Sequence, residues 1–237
     1  MFVRNIFIAG VSSGIGRVLA EEHIRQGDYV YAVGRSEPKS LLSHPNLSFF
    51  PMDLSDADLV RDDLSDFVNK RNFDRAILSA GSYSDMHNMI DFTLERMRET
   101  MNINVWAHKH IIDALMAHTH TQQVVAFGAS PATFVRKGLG DYAISKAALT
   151  TMIQLYAEEF PHVHFSTIAP VLIQTPTLSA LLQSANSSRY PVIQEIRDSL
   201  ILPLGQAIPK LMDALEEVKR IKSGSFVEMK KLGKGHY

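Results

Sequence analysis

Tyr142 and Lys146 stand four residues apart in Asp141-Tyr142-Ala143-Ile144-Ser145-Lys146-Ala147-Ala148. On a helix, that spacing puts both side chains on one face, one turn apart. A free tyrosine ionises with a pKa of about 10, too high for ready proton exchange at neutral pH. An ammonium one turn away favours the phenolate. The pair can then serve as acid and base in the interconversion of a carbonyl and an alcohol.

A second group of residues suits an anionic ligand. Ala9-Gly10-Val11-Ser12-Ser13-Gly14-Ile15-Gly16 follows an apolar run and opens an amphipathic stretch. Gly10 permits a tight turn, Gly14 lets the backbone approach a pyrophosphate, and Gly16 lets a helix pack against the sheet. The helix N-terminus then faces the negative charge. A dinucleotide suits this arrangement, and the positive ring of an oxidised nicotinamide would also favour the Tyr142 phenolate. The next apolar run ends Val33-Gly34-Arg35-Ser36. An NAD site wants an acidic residue near there for the ribose 2′-hydroxyl. Gly34 stands in its place, and the guanidinium of Arg35 can pair with a 2′-phosphate, helped by Ser12, Ser13 and Ser36. NADP(H) is the expected cofactor and NAD(H) is possible; the alternative is an Arg35 that only solvates a loop.

These residues need a scaffold of alternating strands and helices. Short runs rich in β-branched and aromatic residues predict strands over Val3–Ala9, Tyr29–Val33, Leu47–Met52, Arg75–Ser79, Gln123–Phe127, His164–Ile168 and Phe226–Met229. Helices are predicted over Ile15–Gln26, Asp56–Lys70, Leu94–Ala117, Tyr142–Glu159 and Leu204–Val218. Val124-Val125-Ala126-Phe127 is apolar on both faces, as in a parallel sheet covered on both sides. The alternation predicts a Rossmann-type, doubly wound α/β fold: a parallel sheet of about seven strands in three α/β/α layers, one domain over 1–237. From Thr175 to Pro203 the pattern breaks into polar patches with prolines, which reads as a substrate loop.

The glycine spacing and the Tyr-x-x-x-Lys motif together resemble the short-chain dehydrogenase/reductase family along nearly the whole chain. The resemblance implies further site residues. Asp53-Leu54 is similar to the pair that contacts adenine, although Asp53 could equally cap the next helix. Ser79-Ala80-Gly81 stands where the family usually carries Asn-Asn-Ala-Gly. Ser130, in Phe127-Gly128-Ala129-Ser130, is implied as the serine that hydrogen-bonds the substrate oxygen, displaced by one residue from the usual register. Asn104 is implied as the helix residue whose carbonyl extends a proton relay from Lys146, while Asn102 is structural. Pro170, Ile173 and Thr175 resemble the segment that holds the carboxamide, with Val171 in place of a glycine.

Composition narrows the alternatives. The 237 residues are 46% hydrophobic and 21% charged with net charge −1, which argues against nucleic-acid or anionic-membrane partners. The absence of cysteine excludes disulfides and thiolate catalysis and fits a reducing compartment. The N-terminus lacks signal-peptide features, so a cytoplasmic protein is expected. The histidine pairs His108/His110 and His118/His120 have i, i+2 spacing, which on a helix points to different faces, no H-E-x-x-H occurs, and His162/His164 lacks nearby carboxylate partners, so no metal site is expected. The basic residues Lys230, Lys231 and Lys234 read as solvated. The resulting expectation is an NADP(H)-dependent oxidoreductase acting on a moderately hydrophobic carbonyl or alcohol, assembled as a homodimer or homotetramer. The alternative is a dinucleotide-binding sensor or scaffold with weak turnover.

Overall fold

Alternation along the first strand sets the architecture. In β1 (Asn5–Ala9), Phe7 and Ala9 enter one hydrophobic core while Ile6 and Ile8 enter another on the opposite face. A strand buried on both sides needs helices on both sides. The computed structural model, which describes residues 3–56, 64–83, 85–130 and 133–232, meets that requirement. α1 (Gly14–Arg25) and α7 (Leu204–Glu217) cover the Ile6/Ile8 face with Leu19, Ile24, Leu211 and Leu215. α3 (Ala107–His118) and α4 (Gly140–Glu159) cover the other with Ile111, Leu115, Leu149 and Ile153.

The remaining strands are β2 (Tyr29–Gly34), β3 (Leu47–Pro51), β5 (Arg75–Leu78), β7 (Gln123–Phe127), β8 (His164–Ala169) and β9 (Ser225–Glu228). With β1 they form one seven-stranded sheet in the order β3-β2-β1-β5-β7-β8-β9, parallel throughout. The chain runs outward from β1 on one side and then returns to β5 on the other. The β1/β5 boundary is therefore a topological switch point, where ligands enter above the strand C-termini.

The seven expected strands are all present, with ends displaced by a residue or two. The predicted helix over Leu94–Ala117 is in fact three pieces: α2 (Leu94–Met101), a π-turn (Asn102–Trp106) and α3. In the π-turn the Ala107 amide bonds back to the Asn102 carbonyl, one residue further than in an α-helix. The predicted helix over Asp56–Lys70 lies partly outside the described residues; 64–68 are helical. Two strands were not expected, β4 (Asn72–Phe73) and β6 (His120–Thr121), which pair with each other apart from the main sheet. Two residues are too few to show a period. The predicted loop over Thr175–Pro203 contains α5 (Pro176–Ser184) and α6 (Val192–Arg197). It folds onto Met86 and Leu139 and is tied to neighbouring loops by Arg189–Asp91 (3.2 Å) and Arg136–Glu195 (3.6 Å). Lys230 and Lys231 are exposed, as expected, and both also pair with Glu228, at 3.3 and 2.5 Å, while Lys234 lies outside the described residues. No helix among the described residues is long and apolar enough to cross a membrane.

At the other end of the sheet, Arg75 is wholly buried on the central strand β5. Its Nε donates to Gln123 Oε1 (2.6 Å), and its Nη2 donates to the Leu215 carbonyl (3.1 Å) and to Glu216 Oε1 (2.8 Å). This side chain fastens α7 to β5 and β7. Arg75→Met keeps the bulk and leaves the buried Gln123 carbonyl unpaired, so unfolding in urea should show a loss of about 1–3 kcal/mol. An unchanged midpoint would remove this fastening role.

Candidate active site

The loops after β1 and β5 meet at the switch point. Gly10 has φ +92°, and a Cβ there would fall 2.6 Å from the Ala80 amide nitrogen, so only glycine lets the two loops touch. A Cβ on Gly16 would lie 2.2 Å from Ser79 Oγ. That hydroxyl donates to the Ala9 carbonyl at 2.6 Å, so Ser79 ties the two loops together. Gly14, at φ +62°, opens α1, and Ile15 packs beneath it. Ser13 caps α1 by backbone position only; its exposed side chain makes no cap bond, which leaves first-turn amides available to an anion. Thr175 stands beside them, its Cγ2 3.8 Å from where a Gly14 Cβ would be.

At the end of β2, Gly34 is buried, and a Cβ there would come within 2.9 Å of Ser12 Oγ. The Ser36 amide donates to that same oxygen at 3.0 Å, and Arg35 is exposed on the rim. Asp53 is engaged in its own turn, accepting from the Ser55 amide (2.9 Å) and hydroxyl (2.8 Å), and these bonds hold its carboxyl below the usual range. Leu54 is buried, so only its backbone can face a ligand. Beyond β8, Pro170 leads to Ile173, whose side chain is buried and whose backbone bridges to Leu202. The Thr175 hydroxyl accepts from the Leu178 amide (3.2 Å) and caps α5.

The start of α4 is fixed by Asp141, a buried carboxylate that accepts from Thr100 Oγ1 and from the Tyr142 amide, each at 2.7 Å. Tyr142 is half-buried and Lys146 is 4% exposed. The lysine Nζ donates to the Phe127 carbonyl at 2.9 Å and lies 5.8 Å from the Tyr142 ring centroid. Burial draws Lys146 down to about 8 and pushes Tyr142 up to about 12. The Lys146 ammonium is bonded to the end of β7, and burial favours the uncharged form of the Tyr142 phenol.

Asn104 is fully buried in the π-turn. Its Oδ1 accepts from the Ser82 amide (2.7 Å), and its Nδ2 donates to the Ser82 carbonyl and to Ser145 Oγ, both at 2.9 Å. Ser145 in turn donates to the Tyr142 carbonyl at 2.9 Å. A Cβ on Gly81 would fall 3.4 Å from Lys146 Nζ and 3.6 Å from Asn104 Oδ1. The glycine loops, Asn104 and the Tyr–Lys pair therefore converge on one place.

The Ser130 hydroxyl, at the end of the segment after β7, donates to Glu228 Oε1 at 3.4 Å. Gly128 cannot carry a serine in its stead, because a Cβ there would meet Thr167 Cγ2 at 2.5 Å and Phe226 at 3.2 Å. Three neighbours escaped the sequence reading. Ser145 sits three residues after Tyr142, a spacing that could have flagged it. Tyr83 packs edge-on to Tyr142 with centroids 5.9 Å apart, and nothing in the pattern signals it. His108 is wholly buried one turn beyond Asn104, its ionisation drawn down to about 3 by burial and then by the charge of Lys146.

Comparison with known proteins bears on the family and the fold. The profile of the short chain dehydrogenase family matches residues 4–186. The chain is 25% identical over 208 residues to 11-beta-hydroxysteroid dehydrogenase A of Sesamum indicum, covering 81% of this chain and 58% of that protein. It thus spans less than two thirds of that relative's length. It is 23% identical over 242 residues to a benzil reductase ((S)-benzoin forming) of Bacillus cereus, covering 90% and 96% of the two chains. A short chain dehydrogenase of Shigella flexneri, solved in complex with NADP, superposes with a TM-score of 0.78 at 22% identity, covering 96% and 97%. Seven parallel strands, the glycine-built switch point and a match over residues 4–186 lead to one conclusion: the chain belongs to the short-chain dehydrogenase family.

Proposed function

We propose that this protein is a nicotinamide-dependent oxidoreductase, with a preference for NADP(H), that interconverts a moderately hydrophobic carbonyl compound and its alcohol. The observation that carries the reading is the convergence at Gly81: Lys146 Nζ and Asn104 Oδ1 both lie within 3.6 Å of the position of its missing Cβ, where the dinucleotide cradle ends. The bare glycines and the free first-turn amides of α1 fit a pyrophosphate. Bound there, a reduced nicotinamide supplies the hydride.

The chain's own residues do the rest. Tyr142, neutral at working pH, gives its proton to the substrate oxygen as charge develops on it. Lys146, fixed by the Phe127 carbonyl, places a positive charge beside the phenolate that remains. Asn104 holds the 82–83 turn and, through Ser145, the first turn of α4. The cradle residues are Gly10, Ser12, Ser13, Gly14, Ile15, Gly16, Ser79, Ala80 and Gly81, with Pro170, Ile173 and Thr175 at the carboxamide end. Asp53 and Leu54 contribute backbone at most. At the adenosine end, an acidic residue at position 34 would displace Ser12, which leaves Arg35 and Ser36 to receive a 2′-phosphate. The orientation of Ser130 toward Glu228 favours a second reading, a dinucleotide-binding sensor with weak turnover.

Absorbance at 340 nm with NADPH and a panel of carbonyl compounds should show turnover that falls by roughly 10²-fold or more in Tyr142→Phe. Cofactor binding should stay nearly intact. Turnover that survives the substitution refutes the assignment, and tight NADPH binding with no turnover by the unmodified protein establishes the sensor. Arg35→Ala should weaken NADPH binding roughly tenfold while leaving NADH little changed; a preference for NADH in the unmodified protein would overturn that role. Trp106, Ile144 and Leu155 are exposed on the π-turn and on α4, which suits a second copy docking across these helices. Sedimentation should give a dimer or tetramer, and a monomer at micromolar concentration would rule the assembly out.

A further inference from the structure

The segment that carries α5 and α6 brings one tyrosine into an otherwise apolar cluster with Met86, Leu139, Leu181, Val192 and Ile193. Tyr190 is 3% exposed, and its ring fits against Gly138, whose φ is +95°. A Cβ on Gly138 would lie 2.7 Å from Tyr190 Cδ1, so the ring seats only because position 138 is glycine. Tyr83 packs against the same cluster from the opposite loop, two residues beyond Gly81, and stands edge-on to Tyr142. The hydroxyls of Tyr83 and Tyr190 are both buried without a hydrogen-bond partner among the described residues. Leaving a buried donor unpaired costs free energy that a bound acceptor recovers. Burial, with the charges of Asp141 and Asp85, pushes the ionisation of Tyr83 well above the usual tyrosine value, so it remains a donor. The nearby cations, Lys137 and Arg189, lie over the Tyr190 ring at 5.9 and 5.4 Å from its centroid.

We propose that Tyr83 and Tyr190 anchor a second, uncharged oxygen of the substrate, so that the preferred substrates are apolar carbonyl compounds with another carbonyl or hydroxyl close to the reacting one. The proposal rests on Tyr142 as the reacting acid, because the edge-on Tyr83 ring is what places the anchor beside the reacting carbonyl. The cluster offers apolar contact to the rest of the molecule, and the carboxylates at Asp85 and Asp141 oppose an anionic group at the Tyr83 end. A site with hydroxyls built to meet an acceptor discriminates against a compound that lacks one, since the donors are then left unpaired.

The test pairs propiophenone with 1-phenyl-1,2-propanedione, which differ by the second oxygen. NADPH oxidation, and calorimetric binding of each compound to the NADP-loaded protein, are measured for the unmodified chain, Tyr83→Phe and Tyr190→Phe. Both substitutions keep the ring, and thermal unfolding reports whether the fold is kept. In each variant, the ratio of kcat/KM for the dione to that for the ketone should fall roughly tenfold, and dione binding should weaken in parallel. A ratio unchanged by either substitution overturns the anchor while leaving the oxidoreductase reading in place. Tyrosine-dependent binding of the dione without NADPH oxidation would keep the anchor and defeat the oxidoreductase reading.

Discussion

The site depends on one buried amide. Asn104 uses its side-chain oxygen and nitrogen on the Ser82 backbone and spends its second N–H on Ser145, which holds the carbonyl of Tyr142. Three separate pieces of chain are thereby locked together: the turn after β5, the π-turn and the first turn of α4. A buried amide so fully satisfied rigidifies its surroundings, whereas one left half-satisfied would destabilise them. The π-turn makes this possible. By closing the turn one residue further back, on the Asn102 carbonyl, it accommodates Asn104 between both partners without ending the helix.

Above that lock, backbone proximity takes over from side-chain chemistry. The loops after β1 and β5 approach so closely at Gly10 and Ala80 that no Cβ fits between them, and Ser79 joins them by a hydrogen bond. The sheet order explains why these two loops meet, since β1 and β5 are hydrogen-bonded neighbours whose chains leave in opposite directions. Topology therefore supplies the crevice, and glycine supplies the clearance within it.

Strand existence and helix faces were legible because both follow from period: Phe7 and Ile8 alternate between two cores, and Leu149 and Ile153 recur on one side of α4. Tyr142, Lys146 and the glycines were legible because their chemistry needs a fixed spacing. What the sequence concealed was direction. The Ser130 hydroxyl meets Glu228, and the Gly128 position is hemmed in by Thr167 and Phe226 on neighbouring strands, contacts that no spacing announces. A spacing of four residues also says nothing about desolvation or about the carbonyl that Lys146 meets. Tyr83 and the short β4/β6 pairing had no pattern to announce them. Each exists through contacts with segments distant in the chain.

Gly128 bears on how such a site can change over time. Its missing side chain is occupied by the methyl of Thr167, on the next strand, and by the ring of Phe226, on the strand after that. A serine introduced at 128 alone would collide, and a smaller residue at 167 alone would open a gap in the sheet's packing. The route from this arrangement to a serine at 128 therefore runs through an intermediate that folds less well in either order. Changes at 128, 167 and 226 are therefore coupled, because each of the three positions fills space that the others leave.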